Sequence, residues 1–361
     1  MAMSAVAEGI AQVDDSFAAI MDSCLQCRAC EVVCPSLVPF GRAMEGAKAE
    51  LSAQIPSPTR KARHVVVGKM LASRSLLKLI TLGISLGQKM GARQFLPASL
   101  RRSFDGIRPI APRSVESGVT YLAIGDRIGK VGFLTGCVMN VWFSDVHTAS
   151  VALLQRAGYD VVIPAAQTCC GALAAHDGDV KNSTHLAEQN VTAFSEFDTV
   201  VSDSAGCGAH LKEYGHWVGE SGSSFSQRVF DITEVVARAV TDGRIPSSTV
   251  DRGKVAVQDP CHLRHAQRIV EQPRTILRAA GYTPIEIDSS GQCCGAAGIY
   301  SLLQPELSQR LGVTKADQVR ASGVTTIASA NPGCEMQLRS HLEAGYEIVH
   351  PVELLWQAIG S

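Results

Sequence analysis

Long apolar runs, an excess of charge of either sign and a secretory leader are all missing from this chain of 361 residues. No apolar stretch approaches the roughly 18–20 residues of a membrane-spanning helix. The net charge of −1 at pH 7 gives no electrostatic basis for binding nucleic acid. The opening residues have neither the basic nor the apolar segment of a signal peptide. We therefore expect a cytoplasmic protein of two or three domains that does not bind nucleic acid.

Cysteine, by contrast, is abundant. The chain has 12 cysteines, and thiols in the cytosol stay reduced. Such a count in an intracellular protein indicates metal binding rather than a disulfide framework. The adjacent pairs Cys169-Cys170 and Cys293-Cys294 also disfavour disulfides, because disulfide geometry is poorly suited to neighbouring residues.

Eight of the cysteines belong to a unit that occurs twice. Each copy contains an isolated cysteine, a Cys-Cys-Gly sequence and a final Gly-Cys, and the first three cysteines recur after 124 positions. The cysteines of the first copy are Cys137, Cys169, Cys170 and Cys207, and those of the second are Cys261, Cys293, Cys294 and Cys334. The repetition predicts a duplicated unit, with four thiols forming a metal site in each copy.

Within each copy, short apolar runs alternate with segments of helical periodicity. Predicted strands cover 131–135, 161–163, 199–202, 255–258, 284–287 and 325–328. Predicted helices cover 141–157, 181–194, 231–239, 267–280, 305–321 and 351–358. The alternation predicts an α/β fold with small parallel sheets, whose ligands lie at the carboxyl ends of the strands. Four of the cysteines directly follow predicted strands, so the thiols should meet at one rim, where helix N-termini favour thiolate.

The remaining four cysteines form an N-terminal run of the pattern C-x2-C-x2-C-x3-C-P, made of Cys24, Cys27, Cys30 and Cys34. Bacterial ferredoxins hold 4Fe–4S clusters with this spacing. A four-cysteine zinc site is the alternative, but such sites usually pair two C-x2-C units that are farther apart. The run therefore predicts an iron–sulfur centre.

Cys34 raises a question of ligand count. In two-cluster ferredoxins the fourth cysteine of a run binds the other cluster, and this chain has no second run. We expect Cys34 to bind a cluster whose other ligands come from elsewhere, either upstream in the gene or on a partner. The first 21 residues have apolar residues at helical spacing and are predicted to form a helix that joins two cluster motifs.

A basic segment separates the run from the repeats. From Arg60 to Arg102 there are ten Lys or Arg residues and no Asp or Glu, interleaved with leucines. Such a segment can lie on a membrane surface or on an acidic partner, or can simply pack its apolar side on its own domain. The predicted domains are a ferredoxin-type segment (1–55), a basic helical connector (56–127) and two repeats (128–245 and 246–361).

The two repeats resemble the CCG repeats of heterodisulfide-reductase-related proteins, and with the N-terminal run the whole chain resembles the iron–sulfur subunit of bacterial glycolate oxidase. The segment Cys24–Gly41 is similar to the second of that family's two ferredoxin motifs, and the first is absent here. In the heterodisulfide reductase subunit each repeat ends in C-x2-C, whereas His210 and Gln337 stand at the last position here. The missing fifth thiols leave four-thiolate sites for a 4Fe–4S cluster, zinc or nothing stable.

The resemblance implies an iron–sulfur electron-transfer subunit of a flavin-dependent dehydrogenase of 2-hydroxy acids such as glycolate or lactate, not catalytic alone. It implies at least one 4Fe–4S cluster (two in the family pattern), a flavin-containing partner subunit, and a quinone or the inner face of the plasma membrane as further partners. The alternatives are a heterodisulfide-reductase-like enzyme acting on disulfides, the iron–sulfur subunit of an anaerobic glycerol-3-phosphate dehydrogenase, and a zinc-stabilised scaffold. His262 and His265, beside Cys261, could ligate or donate to a cluster sulfur, although surface or capping roles are commoner for such residues.

Overall fold

The computed structural model describes residues 2–55, 57–70, 73–89, 106–108 and 115–360. Much of the predicted basic connector, including its prolines Pro97, Pro109 and Pro112, lies outside these ranges. Its described part includes an α-helix over Pro58–Val65, a π-helix over Val66–Met70, an α-helix over Arg74–Lys89 and a short strand over Thr120–Tyr121. Among the described helices, none is both long enough and apolar enough to cross a membrane.

The N-terminal segment is helical, with helices over Ala2–Ala7, Asp15–Asp22, Ala29–Val32 and Phe40–Gln54. Phe17, Met21, Met44 and Leu51 form its small core. The single helix predicted over the first 21 residues is wrong. The chain turns at Gly9, which has a φ of +71°, and the carboxylate of Asp14 then accepts the N–H of Phe17 at 2.8 Å and caps a second helix.

The first repeat is built on a five-stranded sheet of order β1-β3-β2-β4-β5. Its strands are β1 (Thr120–Tyr121), β2 (Gly129–Leu134), β3 (Tyr159–Val162), β4 (Val200–Ser202) and β5 (Val229–Asp231). All neighbours pair in parallel except β1, which is antiparallel to β3. Its helices are Val138–Trp142, Ser144–Arg156, Ala172–His176, Val180–Ala193, Ala205–Leu211, Tyr214–Ser226 and Ile232–Thr241.

The second repeat has a fully parallel sheet of order β7-β6-β8-β9. Its strands are β6 (Lys254–Gln258), β7 (Thr283–Glu286), β8 (Thr326–Ser329) and β9 (Glu347–Val349). A π-helix covers His262–Ala266, and the α-helices are Glu271–Ala279, Tyr300–Leu303, Pro305–Ser322, Pro332–Arg339 and Pro351–Ile359. The α/β fold predicted from the sequence is thus confirmed.

The two repeats share one hydrophobic core because the last helix of each repeat packs against a helix of the other repeat. Helix Ile232–Thr241 packs on Glu271–Ala279 of the second repeat, and helix Pro351–Ile359 packs on Ser144–Arg156 of the first. Side chains from both repeats, among them Leu153, Ile276 and Leu355, belong to the same buried cluster. This packing between repeats fixes the two sheets relative to each other and buries apolar surface that neither repeat could cover alone.

The repeated Ala-Gly-Tyr sequence marks a close approach of backbone in both repeats. Gly158 and Gly281 have φ values of +94° and +87°, and a Cβ on them would lie 2.6 Å from the Asp126 carbonyl oxygen and 2.1 Å from that of Val250. We expect Gly158→Ala and Gly281→Ala each to lower the free energy of unfolding by more than the roughly 1–2 kcal/mol of a left-handed alanine. Urea unfolding measures this.

Gly243 is the matched control, because it also has a positive φ, +74°, but a Cβ there would meet no atom within 4 Å. Gly243→Ala should therefore lose only the conformational contribution. Equal losses in all three variants would show that the carbonyl contacts contribute nothing.

Candidate metal centres

The four thiols of the first repeat meet at the carboxyl ends of β2, β3 and β4. The Sγ atoms of Cys137 and Cys169 are 3.3 Å apart, and those of Cys170 and Cys207 are 3.2 Å apart. Cys169 and Cys170 are neighbours in the chain, so the two close pairs form one group of four sulfurs. Three of them are buried and Cys207 is half-buried.

The second repeat gathers its thiols in the same way. The Sγ atoms of Cys294 and Cys334 are 3.2 Å apart, and the thiols of Cys261 and Cys294 are near enough to Cys293 that both shift its pKa. All four of these cysteines are buried. The structure thus brings together the two sets of cysteines that the repeat pattern singles out.

Half of these thiols stand at the beginning of a helix. Cys137 and Cys261 are the residues immediately before helix Val138–Trp142 and π-helix His262–Ala266. Cys207 and Cys334 are the third residues of Ala205–Leu211 and Pro332–Arg339. Free N–H groups and the positive end of the helix dipole favour thiolate at such positions, which is the protonation state that binds metal.

The pKa values of Cys169 and Cys137 in the first repeat are shifted in opposite directions. Hydrogen bonds from Cys137 and then from Cys170 lower the pKa of Cys169 well below its usual range. The hydrogen bond to Cys169, together with burial, raises the pKa of Cys137. The two opposite shifts favour ionisation of Cys169 over Cys137, and a metal cation is what would allow both thiols to ionise.

The glycine after each cysteine pair is required by backbone geometry. Gly171 and Gly295 have φ values of +90° and +87°, which glycine adopts at little cost. A Cβ on Gly295 would also lie 2.7 Å from the Ser308 carbonyl oxygen. The CCG sequence thus combines two adjacent ligand positions with the turn that directs both thiols inward.

Asn190 supports the cysteine loop of the first repeat, and the sequence pattern did not single it out. It is fully buried. Its Oδ1 accepts the N–H of Thr168 at 2.9 Å, and its Nδ2 donates to the Cys169 carbonyl at 3.0 Å. Tyr214 adds a bond from its hydroxyl to the Cys170 carbonyl at 2.7 Å. These contacts hold the backbone on both sides of the paired cysteines.

The second repeat supports its loop by an ion pair instead. Lys315, which is 2% exposed, donates to Oδ2 of Asp288 at 2.8 Å. Asp288 also accepts the backbone N–H groups of Ser290 and Gln292, just before Cys293. Lys315 follows Asn190 by 125 positions, close to the repeat offset, so comparing the two copies for buried polar residues would have found both supports.

The positions where a fifth thiol would stand carry structural contacts. His210 Nε2 lies 3.4 Å from Ser183 Oγ, and Gln337 Nε2 donates to the Ser308 carbonyl at 3.0 Å. Each serine is on the helix that packs behind the CCG turn. Of the two histidines beside Cys261, His262 has Nδ1 3.6 Å from the Cys261 sulfur, whereas His265 Nε2 is 3.0 Å from the Gly291 carbonyl oxygen.

The N-terminal run folds as a tight loop leading into helix Ala29–Val32. Burial raises the pKa of Cys27 and Cys30, and the charges of neighbouring thiols add to this: Cys261 and Cys24 act on Cys27, and Cys27 and Cys24 act on Cys30. Cys30 is exposed and the other three are half-buried. Leu37, three residues after Cys34, is exposed. That Cys34 binds a second cluster stays a prediction.

The donor chemistry of all three groups fits thiolate-bound iron–sulfur or zinc. Every candidate ligand is a cysteine, the ligand type of iron–sulfur clusters and of structural zinc. Among the described residues, no group of three or more His, Cys, Asp and Glu is arranged to hold one metal ion as it stands. The sulfur contacts of 3.2–3.3 Å are shorter than the roughly 3.8 Å between the ligands of a tetrahedral zinc with Zn–S bonds of about 2.3 Å. Binding would therefore push the sulfurs slightly apart.

Two α/β repeats with a four-thiol rim each define a protein of the CCG cysteine-rich class. The profile of this cysteine-rich domain matches residues 131–212 and 255–339. The probable glycolate oxidase iron–sulfur subunit of Bacillus subtilis (strain 168) is 33% identical over 388 aligned residues, which cover 99% of this chain and 86% of the relative. The chain therefore belongs to the family of glycolate oxidase iron–sulfur subunits.

Further relatives agree with this assignment. The glycolate oxidase iron–sulfur subunit of Escherichia coli (strain K12) is 26% identical over 94% of this chain and 82% of its own length. Lactate utilization protein A of Oceanobacillus iheyensis is 27% identical over 63% of this chain and 96% of its own length.

Proposed function

We propose that this chain is the iron–sulfur electron-transfer subunit of a flavin-dependent 2-hydroxy-acid dehydrogenase complex of the glycolate or lactate type. It passes electrons from the flavin subunit towards a quinone. The observation that carries the proposal is the grouping of all 12 cysteines into one N-terminal run and two buried four-thiol rims. The names of the relatives, glycolate oxidase iron–sulfur subunit and lactate utilization protein A, support the substrate class.

The residues have defined tasks in this function. Cys24, Cys27 and Cys30 are ligands of one 4Fe–4S cluster, and Cys34 is the ligand of a second cluster that is completed from elsewhere. The thiols of the two CCG rims hold further centres. Bound iron–sulfur groups supply one-electron transfer, which a hydroxy-acid oxidation needs after the flavin has taken two electrons. The protein excludes water from the rims, as the burial of seven of the eight repeat cysteines indicates. Low solvent access is one of the factors that set a cluster's potential.

Anaerobically purified chain is expected to contain iron and acid-labile sulfide and to give an EPR signal on reduction. Cys27→Ser should remove the signal of the N-terminal centre, because one of its thiolate ligands is lost. Circular dichroism should show that the repeats stay folded. Metal and sulfide analysis with EPR of the wild type and this variant makes the measurement.

Two outcomes would contradict the proposal. One is zinc in place of iron, which would favour the scaffold alternative. The other is turnover of glycolate or lactate with a dye acceptor by the flavin-free chain, since the proposal assigns substrate oxidation to the partner. Reduction of a disulfide substrate by the chain would instead favour the heterodisulfide-reductase-like alternative.

A further inference from the structure

The N-terminal run lies in a junction where three parts of the chain meet. The junction is defined here as the residues around one small cavity, which come from the N-terminal segment, the first repeat and the second repeat. These residues include Gln26, Arg28, Glu45, His176, Glu213 and His262. Whether the cysteines of the run face the first or the second repeat is a functional question, because it decides which repeat's centre would be the neighbour of the N-terminal centre.

The run contacts the second repeat at two points. Helix Ala29–Val32, which contains Cys30, packs on π-helix His262–Ala266, directly after Cys261. At the second point, the buried Tyr300 donates its hydroxyl to the Ser23 carbonyl at 2.9 Å, next to Cys24.

The first repeat holds the run by polar side chains. Gln26 Nε2 donates to the His176 carbonyl at 2.8 Å, and Arg28 pairs with Glu213 at 2.8 Å. Gln26 and Arg28 both have positive φ, +52° and +63°, a conformation that non-glycine residues rarely adopt. Such strain persists only where surrounding contacts enforce it, and it often marks a functional constraint. Here it sets the direction of Cys27, the residue between the two.

A stacked pair of histidines joins the second repeat to the first. His262 has Nδ1 3.6 Å from Cys261 Sγ, and its ring stacks on that of His176, with centroids 5.3 Å apart and planes inclined by 25°. His176 ends the short helix that follows the CCG turn of the first repeat. The contact is continuous from a second-repeat thiol to the helix behind the first-repeat site.

We propose that the junction holds the N-terminal iron–sulfur centre as the direct neighbour of the second repeat's centre, and that the first repeat's centre is one step farther away, beyond the His262–His176 stack. The inference rests on the proposed function, because it needs an iron–sulfur group at each site. The chemistry served is transfer of one electron, in which no bond forms or breaks and one centre is oxidised as the other is reduced. The reductant is the reduced flavin of the partner subunit.

The test uses the full chain, reduced under anaerobic conditions, and the magnetic coupling between centres. We expect the EPR signal of the N-terminal centre in the wild type to show splitting or fast spin relaxation caused by a neighbouring paramagnet. Cys261→Ser should abolish this coupling. Cys137→Ser, the equivalent change in the first repeat, should leave it intact. Cys294→Ser and Cys170→Ser form a second matched pair if either variant fails to fold.

The outcomes separate the inference from the proposed function. Coupling that survives Cys261→Ser and is lost in Cys137→Ser would overturn the inference alone. So would an N-terminal signal without any coupling in the wild type. A protein without iron would overturn the proposed function and the inference together. His176→Leu tests the role of the histidine stack. The magnetic coupling of the N-terminal centre should survive this change. If the coupling were lost, the N-terminal centre would interact through the stack, which would contradict the proposed order of the three centres.

Discussion

Replacing Arg108 by Met is expected to lower the free energy of unfolding by about 3–5 kcal/mol, the usual result of removing one partner from a buried ion pair. Arg108 binds two carboxylates at once: it pairs with Glu335 through Nε and Nη2, and with Glu353 at 2.9 and 3.0 Å. The side chain of Glu335 is 2% exposed and that of Glu353 is 10% exposed. Methionine would fill the space but leave both carboxylates without this cation.

The deficit should depend on pH. Burial raises the pKa of Glu335, and the hydrogen bonds and charge of Arg108 oppose that rise. Without Arg108 the pKa in the folded state rises further. A raised carboxyl pKa favours folding at low pH and disfavours it as the pH increases. Thermal or urea unfolding should therefore show a smaller deficit at about pH 5 than at about pH 8.

Arg127→Met provides the control for this prediction. Arg127 pairs with Asp160, but its side chain is 58% exposed. Solvent screening makes the contribution of such an exposed pair small, with little change across the same pH range. If both variants lost the same small amount, the double pair at Arg108 would contribute no more than a surface contact.

The sequence predicted those features that repeat or that have a fixed spacing. The recurrence of cysteines after 124 positions located both rims, and the short apolar runs before Cys137 and Cys261 became β2 and β6, which are interior strands of the two sheets. Cysteines at strand ends meet because parallel strands present their carboxyl ends at the same edge. Local pattern and global fold agree there.

Contacts between distant segments could not be predicted. Nothing in the two residues of β1, Thr120–Tyr121, shows that they pair antiparallel with β3. Two sets of contacts depend on surfaces that are far apart in sequence. One is the packing of each repeat's last helix against the other repeat, and the other is the contact of the N-terminal run with the second repeat. Periodicity reports which face of an element is apolar, but not which partner covers that face.

The contacts that hold the two cysteine loops show what else a repeated sequence pattern does not predict. The thiols of the two repeats are the same, but one loop is held by an uncharged amide, Asn190, and the other by the ion pair of Lys315 and Asp288. Selection for a metal site fixes the ligands, whereas any buried hydrogen-bonding group can satisfy the backbone behind them. The two sites therefore differ in what their stability depends on.

Replacing Lys315 by Met is accordingly expected to affect the second repeat alone. Lys315 is 2% exposed, and its Nζ lies 2.8 Å from Asp288 Oδ2. Burial alone would raise the pKa of Asp288, but hydrogen bonds from Lys315 and Ser290 hold it well below its usual range. Without the cation the carboxylate that accepts the Ser290 and Gln292 N–H groups loses its charge partner. The expected loss is about 3–5 kcal/mol of unfolding free energy.

Two measurements on Lys315→Met test this expectation: the pH dependence of its stability and the metal content of each repeat. A depressed carboxyl pKa contributes stability above its unfolded value of about 4, and that contribution is lost as the pH falls below it. The deficit of Lys315→Met should therefore be full at neutral pH and shrink only in acid, below about pH 4, whereas the deficit at Arg108 already shrinks between about pH 8 and pH 5. Metal bound at Cys261, Cys293, Cys294 and Cys334 should be lost before metal in the first repeat, because the loop that carries Cys293 is loosened. Arg320→Met is on the same helix but in a pair whose side chains are 37% and 57% exposed. Because solvent screens such a pair, this variant should change the stability little and leave the metal content unchanged. If metal left both repeats together, the ion pair would support the whole fold rather than this one loop.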